Sequence, residues 1–323
     1  MAIEVVLGID IGGSLTKVGI VTREGTILDK VLFKTKAQEP FSSYIKKLEL
    51  EVESLKSKLN SEIKICSIGV GAPNANPYNG LIENPPNLNW GQATPIQRIL
   101  NQTFKLPVAL ANDANAAALG EMLFGAAKGM KNFVVLTLGT GLGSGIVVDG
   151  QLLIGEHGAA GEIGHVNVDP KGRMCNCGLQ GCLETYASVT GIKRTVFELI
   201  ANMRVDSPLR SLSFKKMTGT EISDAALNGD AIALAAFEKT GKILGSKIAD
   251  TIAHLDPEAI ILSGGLSKAG NILLNPVKTH MERCLFHAYK GKVKVLLSTS
   301  TSSDAVLGPA ALAWLELENI PIA

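Results

Sequence analysis

The sequence holds no unbroken apolar run of the roughly 18 residues needed to cross a bilayer, so no membrane span is expected. Neither sign of charge is in excess. Lys and Arg number 31 against 30 Asp and Glu, interspersed, for a net charge of +1. That gives no footing for nucleic acid or an anionic membrane as a partner. The amino terminus has no basic leader before an apolar stretch and meets Asp10 at once, which reads as an unexported, cytoplasmic protein. Aromatic residues make up 5% of the chain and cysteines number five, three of them between Cys175 and Cys182. Without an export signal such a cluster reads as metal-binding before it reads as disulfide. Glycine, by contrast, is plentiful at 34 residues. The 323-residue length leaves room for two domains, each with its own core.

Apolar, β-branched residues over 3–10, 17–22 and 27–34 predict three strands joined by short turns. Helical spacing covers 41–60. A strand is expected at 63–70, a Pro/Asn-rich loop at 72–91, a helix near 95–104, a strand at 107–111 and an alanine-rich helix at 114–124. The chain then restarts: VVLTLGTGLGSGIVVDGQLLI (134–154) echoes VVLGIDIGGSLTKVGIVTREGTIL (5–28). Each is strand, glycine loop, strand, glycine turn, strand, the mark of an internal duplication of an α/β unit. Helices follow near 187–203, 221–228, 231–254, 271–287 and 304–318, with strands at 258–263 and 293–298. No low-complexity tether separates the halves, and the boundary near 113–130 reads as a hinge.

The two glycine loops are the first candidates for chemistry. In the first, Asp10 ends a strand, Gly12 and Gly13 let backbone approach a ligand, and Ser14 and Thr16 add hydroxyls before Lys17. Glycine permits positive φ, so consecutive amides can form an anion-binding nest. Asp10 suits Mg2+ held through water. Gly139, Thr140, Gly141 and Gly143 repeat the device. Neither loop is a GxxxxGK[ST] phosphate loop or a dinucleotide fingerprint, but a pair at matching points suits a polyphosphate gripped from two sides. Gly264 and Gly265, after the strand at 258–263, read either as the floor of an adenosine pocket or as a plain strand-to-helix turn.

Residues 107–113 (PVALAND) form a buried strand ending in Asn112 and Asp113 before a helix. Two readings stand side by side. Asp113 is a good helix N-cap; equally, at the carboxyl end of a parallel strand it faces the region where open α/β sheets bind ligands. There it would accept the proton of a sugar hydroxyl attacking a γ-phosphorus, with Asn112 orienting the sugar. His165, Cys175, Cys177 and Cys182 make one imidazole and three thiolates, the donor set of a closed, structural Zn2+ site. Glu162 and Glu184 bracket this knot and would present fixed acceptors to sugar hydroxyls.

Together these features resemble the ROK family of repressors, open-reading-frame proteins and sugar kinases. The resemblance rests on DIGGS (10–14), GAP (71–73), PPNLNW (85–90), NDANAAALGE (112–121), GTGLGSGIV (139–147), GEIGH (161–165) and CNCGLQGCLE (175–184). It implies an α/β, actin-like ATPase (RNase H-like) fold with two α/β domains flanking a cleft. These would be an N-terminal domain over 1–115, a larger zinc-bearing domain over 116–303, and a C-terminal helix (304–323) packing back on the first. It implies ATP with Mg2+ as phosphoryl donor and Asp113 as base. Asn112, Glu162, His165 and Glu184 would contact the hexose, Asn87 would be a further sugar contact, and the chain would form a homodimer or homotetramer. The implied activity is a glucokinase phosphorylating the 6-hydroxyl of glucose; an N-acylhexosamine kinase is the main alternative.

Two departures stand out. The common first loop is DIGGTK, whereas here Leu15 follows the hydroxyl residue and the lysine comes at Lys17. That form looks more like the polyphosphate-using glucokinases of the family, while the zinc knot is closer to ATP-dependent members. Asn74 replaces the glycine usual after GAP. A repressor of the same family would carry a winged-helix segment before the DIGG loop, and only nine residues precede Asp10.

Overall fold

Strand β1 (Ile3–Ile11) buries Val5, Val6, Leu7, Ile9 and Ile11 completely in the computed structural model. Both of its faces are covered, which is why its sequence shows no polar alternation. The structure describes residues 3–59, 62–85, 87–299 and 304–318. The last residues of the expected C-terminal helix (319–323), the end of the expected 41–60 helix and position 86 of the PPNLNW element lie outside them.

β2 (Leu15–Val21) and β3 (Ile27–Lys34) fold back antiparallel, placing Lys17 opposite Asp10. Helix α1 (Phe41–Lys56) turns Tyr44, Ile45, Leu48, Val52 and Leu55 inward, a stripe of helical period. β4 (Ile63–Ala72) then runs parallel to β1. The stretch expected as a loop contains a small sheet of β5 (Ala75–Asn76), β6 (Leu81–Glu83) and β7 (Ala93–Thr94). Strands of two or three residues have no periodicity to read. After α2 (Ile96–Phe104), β8 (Val108–Asn112) pairs parallel with β4 and leads directly into α3 (Asp113–Phe124). The sheet order is β3-β2-β1-β4-β8.

β9 (Phe133–Leu138), β10 (Leu142–Val148) and β11 (Gln151–Leu152) begin the second sheet. Helices α4 (Val189–Asn202), α5 (Gly219–Leu227) and α6 (Ala231–Leu255) follow. Next come β12 (Ala259–Ser263), α7 (Asn271–Cys284), β13 (Lys294–Leu297) and α8 (Leu307–Leu317). This sheet has the order β11-β10-β9-β12-β13, the first sheet's order element for element. The echo seen in the sequence is thus a repeated topology.

The chain divides into two compact units, Met1–Met130 with Gly145–Ala160 and Ser300–Ala323, and Lys131–Ser144 with Gly161–Thr299. Within the first unit, α8 lies on β1 and β4 and beside α3. The approach is so close that a Cβ on Gly69 would overlap Pro309 O, and one on Gly8 would overlap Val306 O. Within the second, α6 packs along α7, where Gly241 and Gly245 leave room for Pro276 and Val277. Among the described residues no helix is long and apolar enough to cross a membrane.

Candidate functional site

In the first unit the carboxyl ends of three parallel strands carry the candidate groups. Asp10 of β1 pairs in register with Gly71 of β4, and Ala72 with Asn112 of β8. With no side chain at Gly71, the first residue of α3 comes close: a Cβ there would lie 3.7 Å from Asp113 Cα. Asn112 Oδ1 accepts the Ala114 N–H at 2.9 Å and caps α3. Of the two readings, the N-cap role falls to Asn112, while Asp113 is exposed in the first turn. Its Oδ1 also receives the Ala114 N–H, at 2.8 Å.

Lys17 Nζ donates to Asp10 Oδ2 at 2.8 Å. Side chains two apart on a strand share a face, so a lysine at 17 projects on the same side as one at 15 would. Leu15, 42% exposed, occupies that other place. Thr16 lies on the opposite face, fully buried, its hydroxyl 3.0 Å from that of Thr35. Thr16 thus holds the loop and does not present a donor to a ligand. Thr35 also donates to Gly12 O (2.6 Å) and to Ser14 O through its N–H (3.0 Å). Thr35 belongs to no motif, and nothing in the sequence marked it. Ser14 is exposed.

The glycines serve close approach and not the left-handed nest that was expected. Gly12, Gly13, Gly139, Gly141 and Gly143 are all absent from the positive-φ region. A Cβ on Gly13 would lie 2.6 Å from Asn87 Cβ, so the first loop sits against the segment carrying that exposed asparagine. Three residues further on, Trp90 packs with Phe41 and with Tyr44, whose phenol burial pushes well above its ordinary pKa.

In the second unit, a Cβ on Gly141 would overlap Glu184 Oε2, and that oxygen accepts the Leu142 N–H at 3.0 Å. Gly139 O accepts the Val189 N–H (2.8 Å) and Thr140 O the Thr190 hydroxyl (2.8 Å), tying the second loop to α4. Gly264, at φ 90°, lets the end of β12 close on Leu138, just before that loop; Gly265 is exposed beside Val189. Ser144, buried, bridges the Gly161 carbonyl and the Ile163 N–H, and so braces the GEIGH segment.

His165, Cys175, Cys177 and Cys182 come together, with their ligand atoms all within 4.8 Å. Cys177 and Cys182 Sγ are 3.7 Å apart, and Cys175 Sγ is 3.8 Å from His165 Nδ1. A tetrahedral zinc with Zn–S of about 2.3 Å requires sulfurs about 3.8 Å apart, so the donor set fits the ion. Burial pushes the Cys175 thiol up to about 12 and raises Cys182 as well. At Cys177 burial acts in the same sense, but the Leu179 N–H and the neighbouring thiols outweigh it and lower the value. His165 Nε2 points the other way, 3.9 Å from Glu162 Oε2. Cys175 Sγ lies 3.6 Å from Glu184 Oε1, so the knot touches Glu184 and, through His165, Glu162. Cys66 and Cys284 stand apart from this cluster.

Arg173, which no motif signalled, fastens the knot to the helical layer. Its guanidinium donates to Thr185 O (2.6 Å), Gly191 O (2.9 Å), Thr195 Oγ1 (2.8 Å) and Glu198 Oε1 (2.9 Å), and it lies over the Tyr186 ring.

Two α/β units of one topology, each opening with a glycine hairpin, define the actin-like ATPase fold. The chain belongs to the ROK family, whose model matches residues 6–316. The glucokinase of Halalkalibacterium halodurans is 38% identical over 308 residues, 94% of this chain and 92% of that protein. A crystal structure of a ROK family glucokinase from Streptomyces griseus in complex with glucose and AMPPNP is 31% identical. It covers 96% of this chain and 99% of its own at a TM-score of 0.83. A ROK family transcriptional regulator, a homologue of the E. coli MLC protein, superposes at a TM-score of 0.86 with 28% identity. That match spans 96% of this chain and 77% of the regulator.

Proposed function

We propose that the protein is an ATP-dependent hexose kinase that phosphorylates the 6-hydroxyl of glucose. One observation carries the reading: Asp113 stands exposed at the carboxyl end of β8, while Asn112 does the capping that a strand-to-helix junction needs. The 38% identity to a glucokinase over nearly its whole length supports the same activity.

In the reaction the sugar 6-oxygen attacks the γ-phosphorus, its proton passes to the Asp113 carboxylate, and the P–O bond to ADP breaks with ADP as leaving group. Asn112 uses its Oδ1 for the cap and offers its Nδ2 to the sugar. Asn87 is a second sugar contact. Glu162, Glu184 and His165 Nε2 orient hydroxyls. His165 Nδ1 and the three thiolates would hold zinc, which supplies rigidity to these groups. The backbone of the two glycine loops, with Ser14 and Lys17, contacts the phosphates, and Gly264 and Gly265 lie under the adenosine. Asp10, which also pairs with Lys17, would hold magnesium, which would offset charge on the phosphates. We also infer a cytoplasmic protein, where ATP is supplied, that assembles as a homodimer or homotetramer.

The test is a coupled assay of glucose, N-acetylglucosamine and N-acetylmannosamine against ATP and polyphosphate. Glucose with ATP should give the highest kcat/KM. Preference for an acylated sugar hands the case to an N-acylhexosamine kinase, and preference for polyphosphate overturns the donor. Hexose binding with no transfer to any sugar favours a regulator.

A further inference from the structure

Asn74 has a left-handed backbone, φ 52°. Glycine meets that demand without strain, and asparagine is among the few side chains that tolerate it. What asparagine adds is a carboxamide, and the structure uses it. Asn74 Nδ2 donates to Asn84 O at 3.1 Å, while Asn74 O accepts the Glu83 N–H at 3.0 Å. One residue thus grips two consecutive residues, Glu83 and Asn84.

Asn84 is the first residue of the segment that carries Asn87. It too is left-handed, at φ 43°, and its N–H closes the mouth of the loop on Gln92 O at 2.8 Å. Leu88, immediately after Asn87, is buried. Asn87 is therefore suspended between two anchors: the burial of Leu88 on one side and the clasped Asn84 on the other. Gly13 lets the first glycine loop come close to the Asn87 backbone, since a Cβ at position 13 would lie only 3.0 Å from Asn87 O.

We infer that Asn74 is a positioning residue for hexose binding: its carboxamide fixes Asn84 and so presets the loop that presents Asn87 to the sugar. This rests on the kinase reading above. A loop that grips the sugar alike before and during transfer alters uniform binding, so its loss raises KM and leaves kcat in place. The clasp is solvent-exposed, and the effect is that of one modest hydrogen bond.

The experiment compares wild type, Asn74→Gly and Asn74→Asp in full steady-state kinetics with ATP and glucose varied separately. Glycine keeps the backbone and removes the clasp. Aspartate keeps a side chain that tolerates positive φ but cannot donate to a carbonyl when ionised, so it serves if the glycine variant melts early. Both should raise KM for glucose about three- to tenfold, with kcat within twofold and KM for ATP unchanged. An unchanged glucose KM, or equal rises for glucose and ATP, overturns the inference. A wild type that phosphorylates no hexose overturns the kinase reading itself, and the inference with it.

Discussion

Asn112 and Asp113 divide the two tasks of one strand-to-helix junction. Asn112 Oδ1 accepts the Ala114 N–H as the helix N-cap, and Asp113, which shares that N–H through its Oδ1, occupies the first turn with an exposed carboxylate. Were Asp113 the cap, its replacement would cost chiefly stability, about 1 kcal/mol.

With Asn112 in that place, Asp113→Asn should leave the fold intact and act on the chemistry. The expected loss in kcat is about 10²- to 10⁴-fold, with the melting temperature within a few degrees of wild type and glucose still raising it. Near-normal turnover removes Asp113 as the base.

Much of the architecture was legible because it rests on long apolar runs. The five strands of each sheet lie close to where β-branched residues concentrate, and the echo of 5–28 in 134–154 became a repeated sheet order. The zinc set was legible from spacing alone, since thiolates and an imidazole so close in sequence have few other uses. What escaped notice depends on contacts remote in sequence. In sequence a hydroxyl in a glycine loop looks the same whether it faces a ligand or a neighbour, and Thr16 faces Thr35. The missing Cβ atoms of the loop glycines matter against Asn87 and Glu184, which only the fold brings near. Asn74 answers to a left-handed backbone angle that no motif encodes.

Zinc should be present at one ion per chain by elemental analysis, and Cys177→Ser should lose it. Because Cys175 and Cys182 are protonated at pH 7 without the metal, uptake should release at least two protons per ion, read as calorimetric heats that differ between buffers of different ionisation enthalpy. As Glu184 touches Cys175 Sγ, the variant should also bind glucose more weakly. A metal-free protein with unaltered glucose KM defeats the structural role.

Arg173 should be as demanding as the metal ligands. It is 11% exposed, and its three nitrogens reach separate acceptors: Nη1 the Thr185 and Gly191 carbonyls, Nη2 Thr195 Oγ1 and Nε Glu198 Oε1. Lysine offers a single ammonium and cannot span them, so Arg173→Lys should destabilise the protein by about 2–3 kcal/mol through unpaired acceptors.

The contribution of its partner Glu198 depends on pH in a definite direction. Burial acts to raise the Glu198 pKa, but the Lys239 ammonium and the Arg173 guanidinium outweigh it and hold the carboxyl below its ordinary value. A depressed carboxylate pKa stabilises the folded state above the unfolded value, about 4.3, and that support disappears as pH falls through the folded value. Glu198→Gln should therefore melt about 2 °C below wild type at pH 7. The gap should narrow steadily below about pH 4.5, because acid removes from wild type the charge that the variant already lacks. Half of Glu198 is exposed, so the pH 7 gap should also shrink in high salt. A gap that stays constant on acidification would mean that Glu198 supports the helix by packing, and that Arg173 is held by its other acceptors alone.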